Sequence, residues 1–225
     1  MLKERLDTVR AALDEASAPW GHRVKLICVS KNHPAEAINP LVSLGYTAIG
    51  ENRVQEILAK KPELDPNLQI HLIGQLQTNK VKYIIDKVCQ IQSVDRMNLA
   101  LEIDRQALKH GVRMPVLLQV SPAGEPQKGG MPPEEALPFL KEAAKLPGLK
   151  VEGLMAVMPL TDDEALLRRL FGNMRTLFER LRNEAVNGVE MTELSMGMSH
   201  DYVLAAQMGA TTVRVGSAIF GPRQY

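Results

Sequence analysis

A lysine directly after an apolar run is the first candidate for chemistry in this chain. Lys31 follows the run at residues 24–30 and precedes Asn32-His33-Pro34, which predicts a buried strand, a lysine and a turn into a helix. Desolvation at the mouth of a strand lowers the pKa of a lysine amine, and the neutral amine can attack a carbonyl group. Taken alone, the segment favours a solvated lysine at a strand end, and the rest of the chain reverses that preference.

The end of the chain carries a second pattern, which is typical of an anion site. Residues 194–201 (LSMGMSHD) and 213–218 (VRVGSA) each follow a predicted strand. Gly216 permits close approach of the backbone, and Ser199 and Ser217 add hydroxyl groups near predicted helix N-termini. In α/β barrels the loops after strands seven and eight often bind phosphate. Ordinary helix caps and a turn are the alternative for either segment.

A carbonyl-reactive lysine together with a phosphate site favours pyridoxal 5′-phosphate (PLP), which carries an aldehyde and a phosphate on one ring. Lys31 would form the Schiff base, and Arg214 would point into the barrel near the pyridine nitrogen. Because arginine can only donate hydrogen bonds, it would keep that nitrogen unprotonated and the ring a weak electron sink. This favours exchange at the Schiff base or proton transfer over transamination. A salt-bridged structural arginine is the alternative.

Short apolar runs alternate with helical patterns, and they predict the elements that must position these residues. Eight strand–helix units predict parallel strands with right-handed crossovers, closed into a (βα)8 TIM barrel of the α/β class after an extra N-terminal helix. A doubly wound open sheet is the alternative. Residues 1–225 are expected to form a single domain, because no linker or low-complexity segment divides them. The predicted strands begin near Val24, Tyr46, Ile70, Val88, Pro115, Val151, Thr192 and Thr212.

Three helices have recognisable boundary signals. Thr78 is predicted to cap a helix that carries Val81 and Ile84, and Asp95 a helix that ends before Gly111. The longest helix is predicted from about residue 163 to residue 187, with an apolar face.

Composition and charge exclude several classes of protein. The formal net charge is +1, which gives no argument for a nucleic-acid or membrane partner. Cys28 and Cys89 lie in apolar runs as small core residues, and no Cys/His cluster predicts a metal site. No apolar run approaches the length of a membrane span, and the amphipathic N-terminal segment is not a signal peptide. A cytoplasmic location is therefore expected.

Seven ordered motifs resemble those of the pyridoxal phosphate homeostasis proteins, single-domain relatives of the alanine racemase N-terminal barrel. They extend from residue 24 to residue 225 and read VKLICVSKNHPAE, IGENRVQE, HLIGQLQTNKVK, SVDR, GLMAVMP, LSMGMSHDY and VRVGSAIFGPRQY. The resemblance implies an alanine racemase N-terminal domain-like barrel that holds PLP as a Schiff base. It also implies a role in intracellular PLP (vitamin B6) homeostasis, with indirect effects on amino-acid and keto-acid balance.

The resemblance also implies which residues contact the cofactor. Ser199, Gly216 and Ser217 would hold the phosphate. Arg214 would face the pyridine nitrogen, and Asn52 would lie beside the ring. The chain departs from the family at Asn32-His33, where a Thr-Lys type pair is usual, and at Ser217, where threonine is common. The implied cofactor-binding residues are Lys31, Asn52, Ser199, Arg214, Gly216 and Ser217.

The choice between enzyme and carrier depends on a second base. Racemisation requires proton transfer on both faces of the substrate, and Lys31 serves only one. In alanine racemase the opposite base is a tyrosine from a second domain of the partner subunit, which this chain is expected to lack. We therefore expect a monomeric carrier with little turnover. A low-activity PLP-dependent amino-acid racemase or decarboxylase is the alternative. A class I aldolase without PLP is disfavoured, because residues 155–159 contain no lysine.

Further expectations concern partners. The Gly- and Pro-rich loop at residues 121–133 is predicted to be a lid over PLP, a docking surface for PLP-accepting apoenzymes, or an ordinary flexible loop. Lys80, Lys82 and Lys128 are candidates for a second PLP site.

Overall fold

Eight parallel strands close into a barrel in the computed structural model, which describes residues 1–125 and 128–221. Each strand pairs with its neighbours in chain order, and β1 pairs with β8 to complete the circle. The strands are β1 Lys25–Val29, β2 Ala48–Glu51, β3 Gln69–Leu72, β4 Gln90–Val94, β5 Met114–Val120, β6 Leu149–Ala156, β7 Glu193–Ser195 and β8 Thr212–Val215.

The α-helices surround the barrel, and α1 precedes the first strand. They are α1 Leu2–Ser17, α2 Ala35–Ile38, α3 Pro40–Ser43, α4 Val54–Lys60, α5 Met97–Lys109, α6 Ala136–Ala143, α7 Glu164–Asn183, α8 Tyr202–Gln207 and α9 Ser217–Phe220. Short 3₁₀ helices lie at Ala18–Trp20, Thr78–Tyr83 and Pro133–Glu135. No helix of the described ranges is long and apolar enough to cross a membrane.

The sequence predicted this architecture. Every predicted strand start lies within two residues of the observed start, and the predicted (βα)8 barrel with its N-terminal helix is confirmed. The open sheet is excluded, because Lys25 through Cys28 of β1 pair in register with Thr212 through Val215 of β8.

Two predicted helix starts were wrong. Thr78 is the first residue of a 3₁₀ helix and caps nothing with its side chain. The N-cap residue of α5 is Arg96, not Asp95. The Asp95 carboxylate instead accepts hydrogen bonds from the Arg96 guanidinium and from the backbone N–H of Gly130. The longest helix, α7, begins where predicted, and Asp163 caps it by accepting from the N–H of Leu166 at 2.9 Å. It ends at Asn183 rather than near residue 187.

The barrel interior carries buried polar side chains, whereas the layer between the barrel and the helices is apolar. Strand residues alternate between the two sides, so alternate positions of each strand point inward. Hydrogen bonds confirm this for Gln92 of β4 and Ser195 of β7, because these strands are not neighbours and can bond only across the interior. Buried polar side chains on the strands include His71, Gln90, Gln92, Gln119, Ser195, Thr212 and Arg214.

Candidate functional site

Lys31 lies at the carboxyl end of β1, between the ends of β8 and β2. Its side chain is half-buried, as expected for a lysine at the mouth of a strand. Asn32 follows with a φ of 65°, a left-handed conformation that asparagine tolerates better than most residues. The sharp turn ends the strand here and leaves the lysine at the rim of the barrel.

A buried ion pair lies directly behind the Lys31 turn. The Nζ of Lys60, on α4, donates to the Ser30 carbonyl at 3.0 Å and to Oε1 of Glu51 at 2.9 Å. The same carboxylate oxygen accepts from the Ser30 hydroxyl at 2.7 Å. The Glu51 side chain is fully buried, and burial raises its pKa above the usual value, against the hydrogen bonds from Ser30 and Lys60.

A second carboxylate secures the other side of the turn. Oε2 of Glu56 accepts from the backbone N–H of Asn32 at 2.9 Å and from Lys60 at 3.1 Å. The backbone on both sides of Lys31 is therefore bound to one group of charged side chains, which we call the charged cluster: Glu51, Glu56 and Lys60.

The loops after β7 and β8 meet at the predicted anion site. The Ser199 hydroxyl accepts from the N–H of Gly216 at 3.0 Å and more weakly from the N–H of Ala218 at 3.5 Å. Ser217 begins α9 and is exposed. A Cβ added to Gly216 would lie 3.3 Å from the carbonyl oxygen of Val29, so only glycine leaves this close approach to β1 unobstructed.

Arg214 enters the barrel interior from β8 and is 3% exposed. One guanidinium nitrogen donates to the Ser195 hydroxyl and the other to the Ala156 carbonyl, both at 2.7 Å. Burial lowers the pKa of Arg214 to about 10, although the charges of Asp201 and Glu193 raise it. The guanidinium therefore stays protonated at neutral pH, and in the described residues neutral groups, not a direct salt bridge, accept its hydrogen bonds.

Asn52 follows β2 on the other side of Lys31 and is half-buried. Its backbone is packed closely against the end of β3, since a Cβ on Gly74 would lie 2.4 Å from the Asn52 carbonyl oxygen. Strands β7, β8, β1 and β2 are consecutive around the barrel, so all six predicted cofactor residues share one arc of its carboxyl rim.

The His33 ring stacks on the Phe220 ring of α9, with 4.7 Å between the ring centroids. His33 thus connects the Lys31 turn to the helix that begins with Ser217.

The loop after β5 is tied across the same rim. Gln119 donates to the Lys128 carbonyl at 2.8 Å, and the Lys128 amine donates to the Met158 carbonyl at 3.1 Å. The amine also forms an ion pair with Glu125. Residues 126 and 127 of this loop lie outside the described ranges. Lys80 and Lys82 approach the Tyr83 ring, at 5.8 and 4.9 Å from its centroid.

Sequence reasoning missed the buried groups that support the site. No functional role was predicted for the residues of these groups. A signal was available in β4, where Gln90 and Gln92 alternate with apolar residues and so indicate a polar inward face. The i, i+4 spacing of Glu56 and Lys60 was a second available signal. The missed residues are Glu51, Glu56, Lys60, Gln90, Gln92, Glu193, Ser195 and Asp201.

The residues present fit PLP. The loop after β8 packs closely against β1 at Gly216, where a Cβ would lie 3.3 Å from Val29. The half-buried Lys31 follows this neighbouring strand, and the buried Arg214 precedes Gly216 on β8. The donor set matches a phosphate, an aldehyde and a ring nitrogen that accepts a hydrogen bond.

Known proteins share this sequence and fold. The family described as alanine racemase, N-terminal domain, matches residues 5–224. A pyridoxal phosphate homeostasis protein of Aquifex aeolicus is 42% identical, over 99% of this chain and 98% of the relative. The structure of PipY of Synechococcus elongatus with PLP bound is 38% identical and covers 98% of this chain and 100% of that chain, with a TM-score of 0.87.

An alanine racemase of Clostridium difficile shares the fold alone. It is 17% identical with a TM-score of 0.79, and the match covers all of this chain but 57% of the racemase. Pyridoxal phosphate homeostasis proteins are instead matched over nearly their full length. This chain therefore belongs to the alanine racemase N-terminal domain family and, within it, to the pyridoxal phosphate homeostasis proteins.

Proposed function

We propose that this protein binds PLP covalently through Lys31 and takes part in PLP homeostasis in the cytoplasm. When bound, PLP supplies an aldehyde that condenses with a lysine amine and releases one water molecule. The observation that carries the proposal is the shared β8–β1 edge. Gly216 packs against Val29, two residues before Lys31. The proposed anion site and the Lys31 amine therefore lie at adjacent strand ends.

The predicted cofactor residues contact three different parts of PLP, namely the phosphate, the pyridine nitrogen and the ring. Ser199, Gly216 and Ser217 bind the phosphate through hydroxyl and backbone N–H groups. Arg214 donates to the pyridine nitrogen and, because it holds its own proton, leaves that nitrogen unprotonated. Asn52 lies beside the ring opposite the phosphate loops.

A carrier function fits the chemistry of the rim better than efficient turnover. A ring whose nitrogen stays unprotonated is a weak electron sink, which disfavours reactions that need a stabilised carbanion. We propose that the monomeric barrel of residues 1–225 releases PLP to apoenzymes that need it. The loop at residues 121–133 would regulate access, because Gln119 and Lys128 tie it across the rim.

Titration of the purified protein with PLP tests the binding proposal. The wild type is expected to develop a visible absorption band with a stoichiometry of one, and Lys31→Ala to develop none. A wild type that stays colourless with excess PLP would refute the proposal. The variant Lys25→Ala, at the exposed start of the same strand, is the matched control and should bind as the wild type does.

A second measurement separates a carrier from an enzyme. The PLP-loaded protein is incubated with single amino acids in deuterium oxide, and exchange of the α-proton is followed by NMR. A carrier gives exchange no faster than free PLP does. Rapid exchange with one amino acid would instead establish a racemase, and conversion of that amino acid to its amine with release of CO2 would establish a decarboxylase.

A further inference from the structure

A continuous chain of hydrogen bonds crosses the barrel interior from Arg214 to the amino-terminal end of the barrel. Arg214 donates to the hydroxyl of Ser195 at 2.7 Å, and Ser195 donates to Oε1 of Gln92 at 2.8 Å. The amide nitrogen of Gln92 donates to Oε1 of Gln90 at 2.8 Å. The amide nitrogen of Gln90 donates to Glu193 at 2.9 Å and to Glu152 at 3.2 Å. We call the four side chains after Arg214 the interior relay: Ser195, Gln92, Gln90 and Glu193.

The chemistry of the two ends fixes the direction of the relay. Arginine can only donate and an ionised carboxylate can only accept. Because Arg214 donates to Ser195, the hydroxyl proton of Ser195 must go to an acceptor, which makes Oε1 of Gln92 the contacting atom. For the same reason the amide of Gln92 donates to Gln90, and the amide of Gln90 donates to the Glu193 carboxylate. Every bond therefore has its donor on the Arg214 side, and the dipoles of the neutral groups are aligned.

The surroundings of the relay support this assignment. His71 contacts Oε1 of Gln90 at 3.0 Å through Nδ1, and this oxygen only accepts, so Nδ1 carries the proton. Burial lowers the pKa of His71 to about 4, which keeps the imidazole neutral. Glu193 also accepts from the Thr212 hydroxyl at 2.8 Å. Gln92 is fully buried and Gln90 is 3% exposed, so water does not compete for these bonds.

We propose that Gln90 and Gln92 are positioning residues that fix the orientation of the Arg214 guanidinium towards the pyridine nitrogen. The proposal rests on the proposed binding of PLP. Aligned hydrogen bonds in a low-dielectric interior strengthen one another, so loss of one bond in the middle weakens the bonds at both ends. Gln92 accepts from the Ser195 hydroxyl that in turn accepts from Arg214, so its effect on the cofactor is exerted through the Arg214 guanidinium.

The first experiment needs no PLP. Side-chain NMR of the unliganded wild type is expected to show slow rotation of the Arg214 guanidinium, assigned by the loss of its signals in Arg214→Lys. It should also show slow hydrogen exchange of the Gln92 amide, compared with the exposed amide of Gln75. In Gln92→Met, which keeps the shape and removes the hydrogen bonds, the Arg214 rotation should become fast. Exchange at Gln92 as rapid as at Gln75 would overturn the proposal without any variant.

The second experiment measures PLP binding by the folded variants. We expect Gln92→Met to bind PLP about tenfold more weakly than the wild type, the equivalent of one hydrogen bond, with a shifted absorption band. Gln106→Met is the matched control, since Gln106 is also a buried glutamine that donates to a carboxylate, but it lies on α5 outside the barrel. It should leave affinity and band unchanged.

A double variant separates positioning from general packing. Ser195→Ala and Gln92→Met interrupt the same chain, so the combined loss of affinity should barely exceed the larger single loss. Full additivity, or wild-type affinity and spectrum in folded Gln92→Met, would refute the positioning role. A wild type that binds no PLP would refute the proposed function instead, while the NMR experiment would still decide whether Gln92 restrains Arg214.

Discussion

The two ends of the proposed site are supported by buried polar groups of opposite kinds. Behind Lys31, the charged cluster places two carboxylates against one ammonium group within a few ångströms of the backbone. Behind Arg214, the interior relay separates the guanidinium from Glu193 by three neutral side chains. The difference teaches that one fold can stabilise a turn with direct ion pairs and a buried cation with aligned dipoles.

Substitutions in the charged cluster and in the interior relay should affect the protein differently. Removing one partner of a buried ion pair leaves an uncompensated charge, so stability depends strongly on each member. Removing one neutral group from a chain costs a hydrogen bond or two and changes orientation more than stability.

The largest effect is expected for Lys60→Met. It leaves the buried carboxylate of Glu51 without its cation, and we expect the free energy of unfolding to fall by about 3 kcal/mol in urea titrations. The loss should be smaller at pH 5 than at pH 7.5, because burial already raises the pKa of Glu51 and the protonated acid carries no charge. Lys61→Met, the next residue, is the control, and an equal loss there would contradict the role of the cluster.

The buried, neutral imidazole of His71 predicts that the stability of the protein is sensitive to acid. In the unfolded chain His71 takes up a proton near its usual pKa of 6.5, but in the folded protein only near 4. The unfolded state therefore binds more protons between these values, and stability falls as the pH is lowered from 6.5 to 4, by up to about 3 kcal/mol.

Comparison with His71→Gln isolates this contribution. The variant should give a flatter dependence of the unfolding free energy on pH over this range, whereas His110→Gln, on an exposed residue, should follow the wild type. Identical slopes for wild type and His71→Gln would contradict the picture of an interior that admits no charge at this position.

The phosphate end should show the smallest effects on stability. Ser199→Ala removes a hydroxyl that accepts from the Gly216 N–H, so we expect about 1 kcal/mol of destabilisation and weaker PLP binding. Ser217→Ala removes an exposed hydroxyl and should weaken PLP binding with less than about 0.5 kcal/mol change in stability. Thermal unfolding and PLP titration of both variants check this, and equal stability losses would contradict the assignment.

The sequence predicted the barrel and the arc of the rim that carries the site. Period-two and period-3.6 patterns are local, so the strands could be placed within two residues, and consecutive βα units determined which strand ends are neighbours. Strand ends also indicated Lys31 and Arg214 as cofactor residues, whereas Asn52 was implied by the family resemblance alone, and these assignments stay predictions.

The supporting groups could not be predicted in the same way. The bond between Gln92 and Ser195 joins residues 103 positions apart on strands that are not adjacent, and no local pattern encodes it. The prediction that Asp95 caps α5 was wrong for a similar reason. Its carboxylate accepts from the backbone N–H of Gly130, a contact between distant parts of the chain, instead of capping the helix. The strand β4 was read from its apolar residues, so its two buried glutamines were not recognised as inward-facing.

Reduction with borohydride followed by peptide mapping shows whether Lys31 is the residue that forms the Schiff base with PLP. The protein is saturated with PLP, reduced and digested, and mass spectrometry locates the phosphopyridoxyl group. We predict stoichiometric labelling of Lys31, with no label on Lys25 of the same strand. Labelling spread over exposed lysines, or concentrated on Lys80, Lys82 or Lys128 with Lys31 unmodified, would contradict the account.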